Sequence, residues 1–490
     1  MILGSKCYNH IMFKETSITI MLSTILTFVG IVTTVYVWRN TPNVDGSELF
    51  FTLPLSFTAC CFFFKNIFPY HRGGFGLKVI YFIIIIRYLI IPILTCYVGS
   101  FSGLALYSAE AYRYGIIMQV IELFVTCITI NLFFKKTFHR CSVNYEKHAK
   151  SMFYDDLSLG GIFVILFSIY VIYSRGLDSM LQSMRFLILT SVLEEEAIYG
   201  YDIWLAHTGM AFLVIVVTGI FQKREDYKPS ITNVIIPLVF AFFSCALSFG
   251  NTRIITVYFA LSALSVFFVA FPHRKTVVLS TIIPTFAIVL ASFTMIKQFD
   301  YDVSSGIDAG VKDDDIVATV SAYVSTTKNI AKAYDMYELH GDEMGLGSFF
   351  ADVIGGIHIL QLPQFQSIVR SIVSRPTSIA LASTGTEVVP MAGQTLFYGG
   401  WAFGWLIDIF IYVILIRLLI LTDCYSKLER RLGYRYILTW VSVAFGMIMT
   451  YNLSIIWSTL NYVPFFLLGA LYVNRKIKIR GTRVKMDSNE

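Results

Sequence analysis

LKVIYFIIIIRYLIIPILTCYV, residues 77–98, is the stretch that decides the fold class. As a helix rising 1.5 Å per residue it is long enough to cross a hydrocarbon layer of about 30 Å. As a strand it would leave its backbone groups unpaired in that layer, so the run reads as a transmembrane helix with one charge, Arg87, near its middle. Apolar stretches of the same kind recur near residues 17–38, 48–69, 113–134, 159–174, 204–221, 231–249, 254–271, 276–296, 398–421, 435–452 and 455–473. The expected fold is an all-α, polytopic bundle of about twelve helices. Residues 1–296 carry nine spans with short loops, 297–397 form a large, mainly helical extracytoplasmic loop, and 398–490 carry three spans and a basic tail.

Composition agrees. Of the 490 residues, 56% are hydrophobic and only 14% charged, and the mean hydropathy is +0.67, so the length prior for soluble domains does not apply. The net charge of +6 has to be read by location, and it implies no nucleic-acid partner. The eight cysteines lie in apolar spans, basic loops or the N-terminus, which argues against a disulfide framework or a CxxC metal site. The first apolar run lacks a small-residue cleavage site after it and reads as a retained span.

Basic residues set the orientation. Lys65 to Lys78, KKTFHRCSVNYEKHAK (135–150), Lys223 to Lys228, Arg274 with Lys275, Lys427 to Arg435 and the tail from Arg475 to Lys485 alternate with loops richer in acids. By the positive-inside rule both termini are cytoplasmic and the 297–397 loop faces outward. Within that loop, 317–340 can form an amphipathic helix, while SFFADVIGGIHILQLPQF (348–365) is too apolar for a free surface and reads as interfacial or re-entrant.

Charges inside apolar spans are expensive and need a partner or a cavity. Arg87, Glu122 and Asp408 are the clearest cases, each about ten residues, or roughly 15 Å, from the outer end of its span. Arg87 can therefore pair with either acid in a packing role or bind an anion. Arg253 follows a tight turn, GNTR, at an outer boundary, where a guanidinium can clamp a lipid-linked phosphate or simply snorkel. Arg370 and Arg375 add positive charge ahead of Glu387 in the small, turn-rich GTEVVPMAGQ. That arrangement suits a pyrophosphate held beside a general base, with His358 as the rival base and His340 a weaker one. Asp313 to Asp315 and Glu194 to Glu196 read as solvated charge runs, since no calcium-loop spacing accompanies them. Walker A, Rossmann and HExxH patterns are missing, and no metal site is expected.

TGTEVVPMAGQTLFYGGWAFGW (384–405), the arginine after the turn at Arg253, the late outward loop and the span count together resemble the Wzy-type repeat-unit polymerases of O-antigen and capsule synthesis. The aromatic-Gly-x-x-Gly pattern of that family is met loosely, by Tyr398, Gly399, Gly400 and Gly404. The resemblance implies a GT-C-like membrane glycosyltransferase of the bacterial inner membrane. It would transfer a growing glycan from undecaprenyl pyrophosphate onto a second lipid-linked repeat unit at the outer face. It further implies pyrophosphate binding by Arg253 with Arg370 or Arg375, helped by Arg87, and activation of the acceptor by Glu387 or His358. No cofactor is needed, because the donor is already activated. Membrane lipids and a chain-length regulator would be its partners. Two other classes fit the span count: a lipid-linked oligosaccharide flippase, which should show symmetric halves, broken helices at mid-membrane and mostly short loops, so that the hundred-residue outer loop counts against it, and an O-antigen ligase, which differs in its acceptor.

Overall fold

The structure, a computed structural model, describes residues 2–64, 73–101, 107–149, 201–246, 253–282, 324–340, 345–355, 388–461 and 463–472, with a few isolated positions besides. Every element among the described residues is helical, and none of them is a strand. In chain order they are α1 (Ile2–Arg39), α2 (Thr52–Phe63), α3 (Phe75–Val98), α4 (Ala109–Ala149), α5 (Tyr201–Tyr227) and α6 (Thr232–Ala246). Then come α7 (Arg253–Ala270), α8 (Thr327–His340), α9 (Leu346–Gly355), α10 (Met391–Leu428), α11 (Leu432–Gly446) and α12 (Leu453–Leu460).

Among the described residues five helices are long and apolar enough to cross a membrane, or six if the pair 255–270 and 272–282, bent by 114°, counts as one span. The expected span near 48–69 is shorter, the twelve-residue α2, while the one near 231–249 is described only as far as Ala246, as the fifteen residues of α6. The one near 435–452 ends at Gly446, followed by turns. The expected span at 159–174 lies mostly outside the described residues. The seven cysteines described with their side chains are all buried thiols.

The chain divides into two units. The first comprises Met1–Val143, Val311–Cys424 and Ala444–Ser458; the second comprises Asn144–Gly310, Tyr425–Val443 and Thr459–Glu490.

In the first unit, α1 packs on α2, with the Ser23 hydroxyl donating to the Cys61 carbonyl and Gly30 pressed against Thr58. Asp423 caps α3 from a distance in sequence, its carboxylate accepting the Gly74 and Gly76 N–H groups. These donors have no partner inside α3, and a negative charge suits that helix end. Gly446 lies so near the Gly76 carbonyl that a Cβ there would stand 2.5 Å from its oxygen.

α8 runs antiparallel to the start of α4. Its first residue, Thr327, meets Gln119, while Asp335 accepts hydrogen bonds from the Ser108 N–H and hydroxyl just ahead of α4. Gln119 lies about ten residues into α4, so this part of the 297–397 segment reaches about 15 Å along a membrane-type helix. Ile330, Ala331, Ala333 and Tyr334 are accordingly buried.

In the second unit, Arg435 ties α11 to two neighbours. Its Nε donates to the Ser265 carbonyl and hydroxyl, and its Nη1 donates to the Lys427 and Glu429 carbonyls at the end of α10. Trp440 packs between Tyr258 and Phe259 at 5.2 Å from each ring. α6, α7 and the segment to Ile282 surround an apolar cavity of about 270 Å³ lined by Leu238, Ala241, Cys245, Ala260 and Ala263.

Candidate functional site

The site grows from a local defect in α3. Residues Ile86–Ile90 form a π-helical turn inside an otherwise α-helical span. Pro92 accounts for it: four residues earlier, the Tyr88 carbonyl loses its N–H partner and would meet the proline ring in a regular helix. A widened turn relieves the clash, and such turns often mark functional positions.

Arg87 lies in this turn with its side chain fully excluded from solvent, as is that of Glu122, and its Nη1 stands 2.9 Å from Glu122 Oε2. That contact is an ion pair without an aligned hydrogen bond. Nη1 also donates to the Met449 carbonyl. With the Gln119 amide turned to satisfy its surroundings, its oxygen accepts from Arg87 Nε at 2.9 Å and Nη2 at 3.2 Å, and its nitrogen donates to Thr327 Oγ1 at 2.7 Å. The donors of Arg87 are thus directed at the protein's own groups, the arrangement that pairing within the bundle requires.

Glu122 gathers further donors. The Tyr412 hydroxyl donates to its Oε1 at 2.6 Å, and the Ala392 N–H at the start of α10 donates to the same carboxylate. The carboxylate therefore acts as an anionic cap for a helix that begins inside the bundle.

α10 is two arms. A straight helix over Met391–Leu428 would be about 57 Å long, nearly twice the hydrocarbon thickness. At Gly400 the backbone takes φ 57°, ψ −167°, a region open essentially to glycine alone. The arms, 391–399 and 401–428, then fold together. A Cβ on Gly404 would stand 2.9 Å from the Thr395 carbonyl oxygen, and one on Gly399 would stand 3.0 Å from the Gly404 nitrogen. Thr395 Oγ1 lies 3.5 Å from Asp408 Oδ1, while Ala392 and Tyr412 converge on Glu122. The Gly-rich sequence read as a span start is the tip of a re-entrant hairpin.

A second carboxylate sits beside the short arm. Asp352 Oδ2 accepts from Gln394 Nε2 and the Ser454 hydroxyl, each at 2.9 Å, and the Tyr398 hydroxyl also donates to this carboxylate. Gln394 Oε1 in turn accepts the Leu453 N–H at 2.9 Å. Gln394 and Ser454 belong to the first turns of α10 and α12, so Asp352 lies at two helix N-termini. Burial pushes the Asp352 carboxyl above its ordinary range, against the pull of those three donors. Just ahead of the starts of α10 and α12, three interruptions of helix meet. The Ser325 hydroxyl reaches the Val388 and Thr450 carbonyls at 2.8 Å, and Asn452 donates to the Val389 carbonyl at 3.2 Å. Ser325 has a positive φ of 46°.

Around the hairpin tip the rings form a shelf. Trp401 stacks on Tyr114 at 4.1 Å, Tyr114 meets Tyr334 at 4.8 Å, and Tyr337 lies against Gly400. Tyr398 faces Phe349 on α9 at 5.9 Å.

Of the residues singled out from the sequence, Arg87, Glu122 and Asp408 belong to this cluster. Arg253 opens α7, with its side chain outside the described residues, and His340 closes α8 in the same way. Glu387, His358, Arg370, Arg375, Asp313 to Asp315 and Glu194 to Glu196 all lie outside the described residues. Among the described residues no group of His, Cys, Asp and Glu could hold a metal ion. Sequence reading missed Asp352, Gln394 and Tyr412. An acid inside SFFADVIGG is the same signal that picked out Glu122, and it would have found Asp352. Comparisons with protein-family models, curated proteins and solved structures found no match for the chain.

Proposed function

We propose that this chain is a membrane glycosyltransferase that polymerises undecaprenyl-pyrophosphate-linked oligosaccharide repeat units into O-antigen or capsular polysaccharide at the outer face of the bacterial inner membrane. The observation that carries this reading is the aromatic shelf of Tyr114, Tyr334, Tyr337 and Trp401 at the hairpin tip, next to the Asp352–Gln394–Tyr398 group. Sugar rings present C–H faces that stack on aromatic rings and hydroxyls that pair with carboxylate and amide side chains, and a few placed polar groups on an aromatic wall are what a glycan needs.

On this reading, with both termini cytoplasmic, Arg253, Arg370 and Arg375 neutralise the departing pyrophosphate, and Glu387 or His358 takes the proton of the acceptor hydroxyl. Arg87 supports the hairpin from below through Glu122. The apolar cavity lined by α6 and α7, the helix that Arg253 opens, has room for part of a prenyl chain.

A second reading, a lipid-linked oligosaccharide flippase, is favoured by one feature: the short arm 391–399 begins inside the bundle at Glu122, as the broken helices of transporters do.

One experiment separates the readings. Glycan chain length and lipid-linked intermediates are measured in a strain deleted for this chain and complemented with wild type, Arg253→Ala, Glu387→Ala or Trp401→Ala at equal membrane levels. Single lipid-linked repeat units at the outer face, restored to polymer by wild type but not by Arg253→Ala, support polymerisation. Long polymer left unattached identifies a ligase. Repeat units trapped at the cytoplasmic face identify a flippase.

A further inference from the structure

Two carboxyls and one guanidinium occupy the centre of the first unit, and their surroundings differ. Glu122 has the Arg87 countercharge 2.9 Å from its Oε2, which takes no hydrogen bond, and donors from the Tyr412 hydroxyl at 2.6 Å and the Ala392 N–H, so its charged form has a paired charge and two donors. Asp408 is equally inaccessible, at 0% exposure, but its Oδ2 has no hydrogen-bond partner. Its Oδ1 has only the long 3.5 Å contact with Thr395 Oγ1, and the single proton of that hydroxyl already goes to the Ala392 carbonyl at 3.0 Å. A carboxylate without a committed donor in so dry a place is strongly disfavoured against its neutral acid.

Charge counting gives the remedy. Arg87 and Glu122 cancel. Asp408 lies about 6 Å along the helix from Tyr412, the residue that bonds Glu122, and its ionisation would leave the cluster with an uncancelled negative charge. The charged groups acting on it among the described residues are Glu122 from α4 and Arg87 from α3; Thr395 and Tyr412, from its own hairpin, are uncharged. A proton on Asp408 restores neutrality and creates an O–H donor for which the free lone pairs of Thr395 Oγ1 are the acceptor.

We propose that the re-entrant hairpin encloses a proton-binding site at Asp408, occupied in the resting protein by one exchangeable proton. The step is a plain protonation: carboxylate plus a proton from bulk water gives the neutral acid, with no other reactant. Because Asp408 and Thr395 lie on opposite arms, release of the proton places an unpaired charge between them and favours their separation. The inference rests on the cluster alone and holds under either reading of function.

Infrared difference spectroscopy of the full-length protein in lipid bilayers tests it. At neutral pH a carbonyl band of a protonated carboxyl should be present, should shift in D₂O and should move on ¹³C-aspartate labelling of the wild type. It should vanish in Asp408→Asn, which mimics the neutral acid and should melt within a few degrees of wild type. Lack of an aspartate-derived band at neutral pH overturns the proposal, as does a band that Asp408→Asn leaves in place. Loss of the band on adding Na⁺ but not K⁺ would show a metal-cation site instead and overturn it too. If Asp408→Asn fails to accumulate, the labelled band is followed in Asp352→Asn: a band that persists there supports the proposal, and one that disappears belongs to Asp352 and overturns it.

Discussion

Arg87 Nη1 stands 2.9 Å from Glu122 Oε2 with both side chains at zero exposure, and through this pair the π-helical turn of α3 is fastened to the start of a re-entrant arm. Neither residue is replaceable alone. Arg87 also satisfies Gln119 and the Met449 carbonyl, and Glu122 also satisfies Ala392 and Tyr412, so each removal orphans several buried groups.

Arg87→Met and Glu122→Gln should each lower stability by about 3–5 kcal/mol, the usual loss when one partner of a buried pair is removed. Arg87→Met with Glu122→Met should recover part of that, because no lone charge remains. Thermal unfolding of the purified protein checks this. A double variant that loses the full sum of the two singles would show that the groups do not act as a pair.

Gly400→Ala should cost roughly 1–3 kcal/mol from backbone strain alone. The new methyl would also collide with the Tyr337 ring at Cζ. Pairing Gly400→Ala with Tyr337→Ala should relieve the collision and leave the backbone cost. Limited proteolysis near the hairpin and the melting temperature report both, and wild-type stability in the single variant would contradict the φ of 57° assigned to Gly400.

Asp352 and Glu429 should give opposite pH responses. Burial holds the Asp352 carboxyl above its ordinary range, so its favourable contribution is full below the unfolded value and is lost as pH rises through the folded one. Burial raises Glu429 too, but the Arg431 side chain and the Arg431 and Arg430 N–H groups outweigh it and hold that carboxyl low. Its contribution is therefore present above the unfolded value and lost as pH falls. Stability measured against pH should lose its alkaline-going decline in part in Asp352→Asn, and its acid-going decline in part in Glu429→Gln.

Arg435→Ala should cost roughly 2–4 kcal/mol, since it strips donors from the Ser265, Lys427 and Glu429 carbonyls. Arg435→Lys should rescue little, because an ammonium cannot reproduce the planar fork. Equal melting of wild type and the lysine variant would refute the fork geometry.

The sequence by itself determined the solvent of this protein and the chemistry it had to hide. Runs such as 77–98 can only be helices in hydrocarbon, and Arg87, Glu122 and Asp408 were marked because a charge at that depth must find a partner. The level of Arg87 in its span even narrowed its partner to two acids. Which acid it took was decided by the tertiary structure, since equal depth says nothing of which helix faces which. Other features depended on the same information. The sequence reads as loop up to 397 and as a span from 398, and Gly400 becomes a reversal between two helical arms only because Gly399 and Gly404 let those arms approach to backbone contact. The apolar run around Asp352 marks it as an acid in need of partners, but that these are Gln394 and Ser454, 42 and 102 residues away, only the fold decides. Local sequence sets the period, the solvent and the cost of each buried charge; partners far along the chain are chosen by packing, which no single segment encodes.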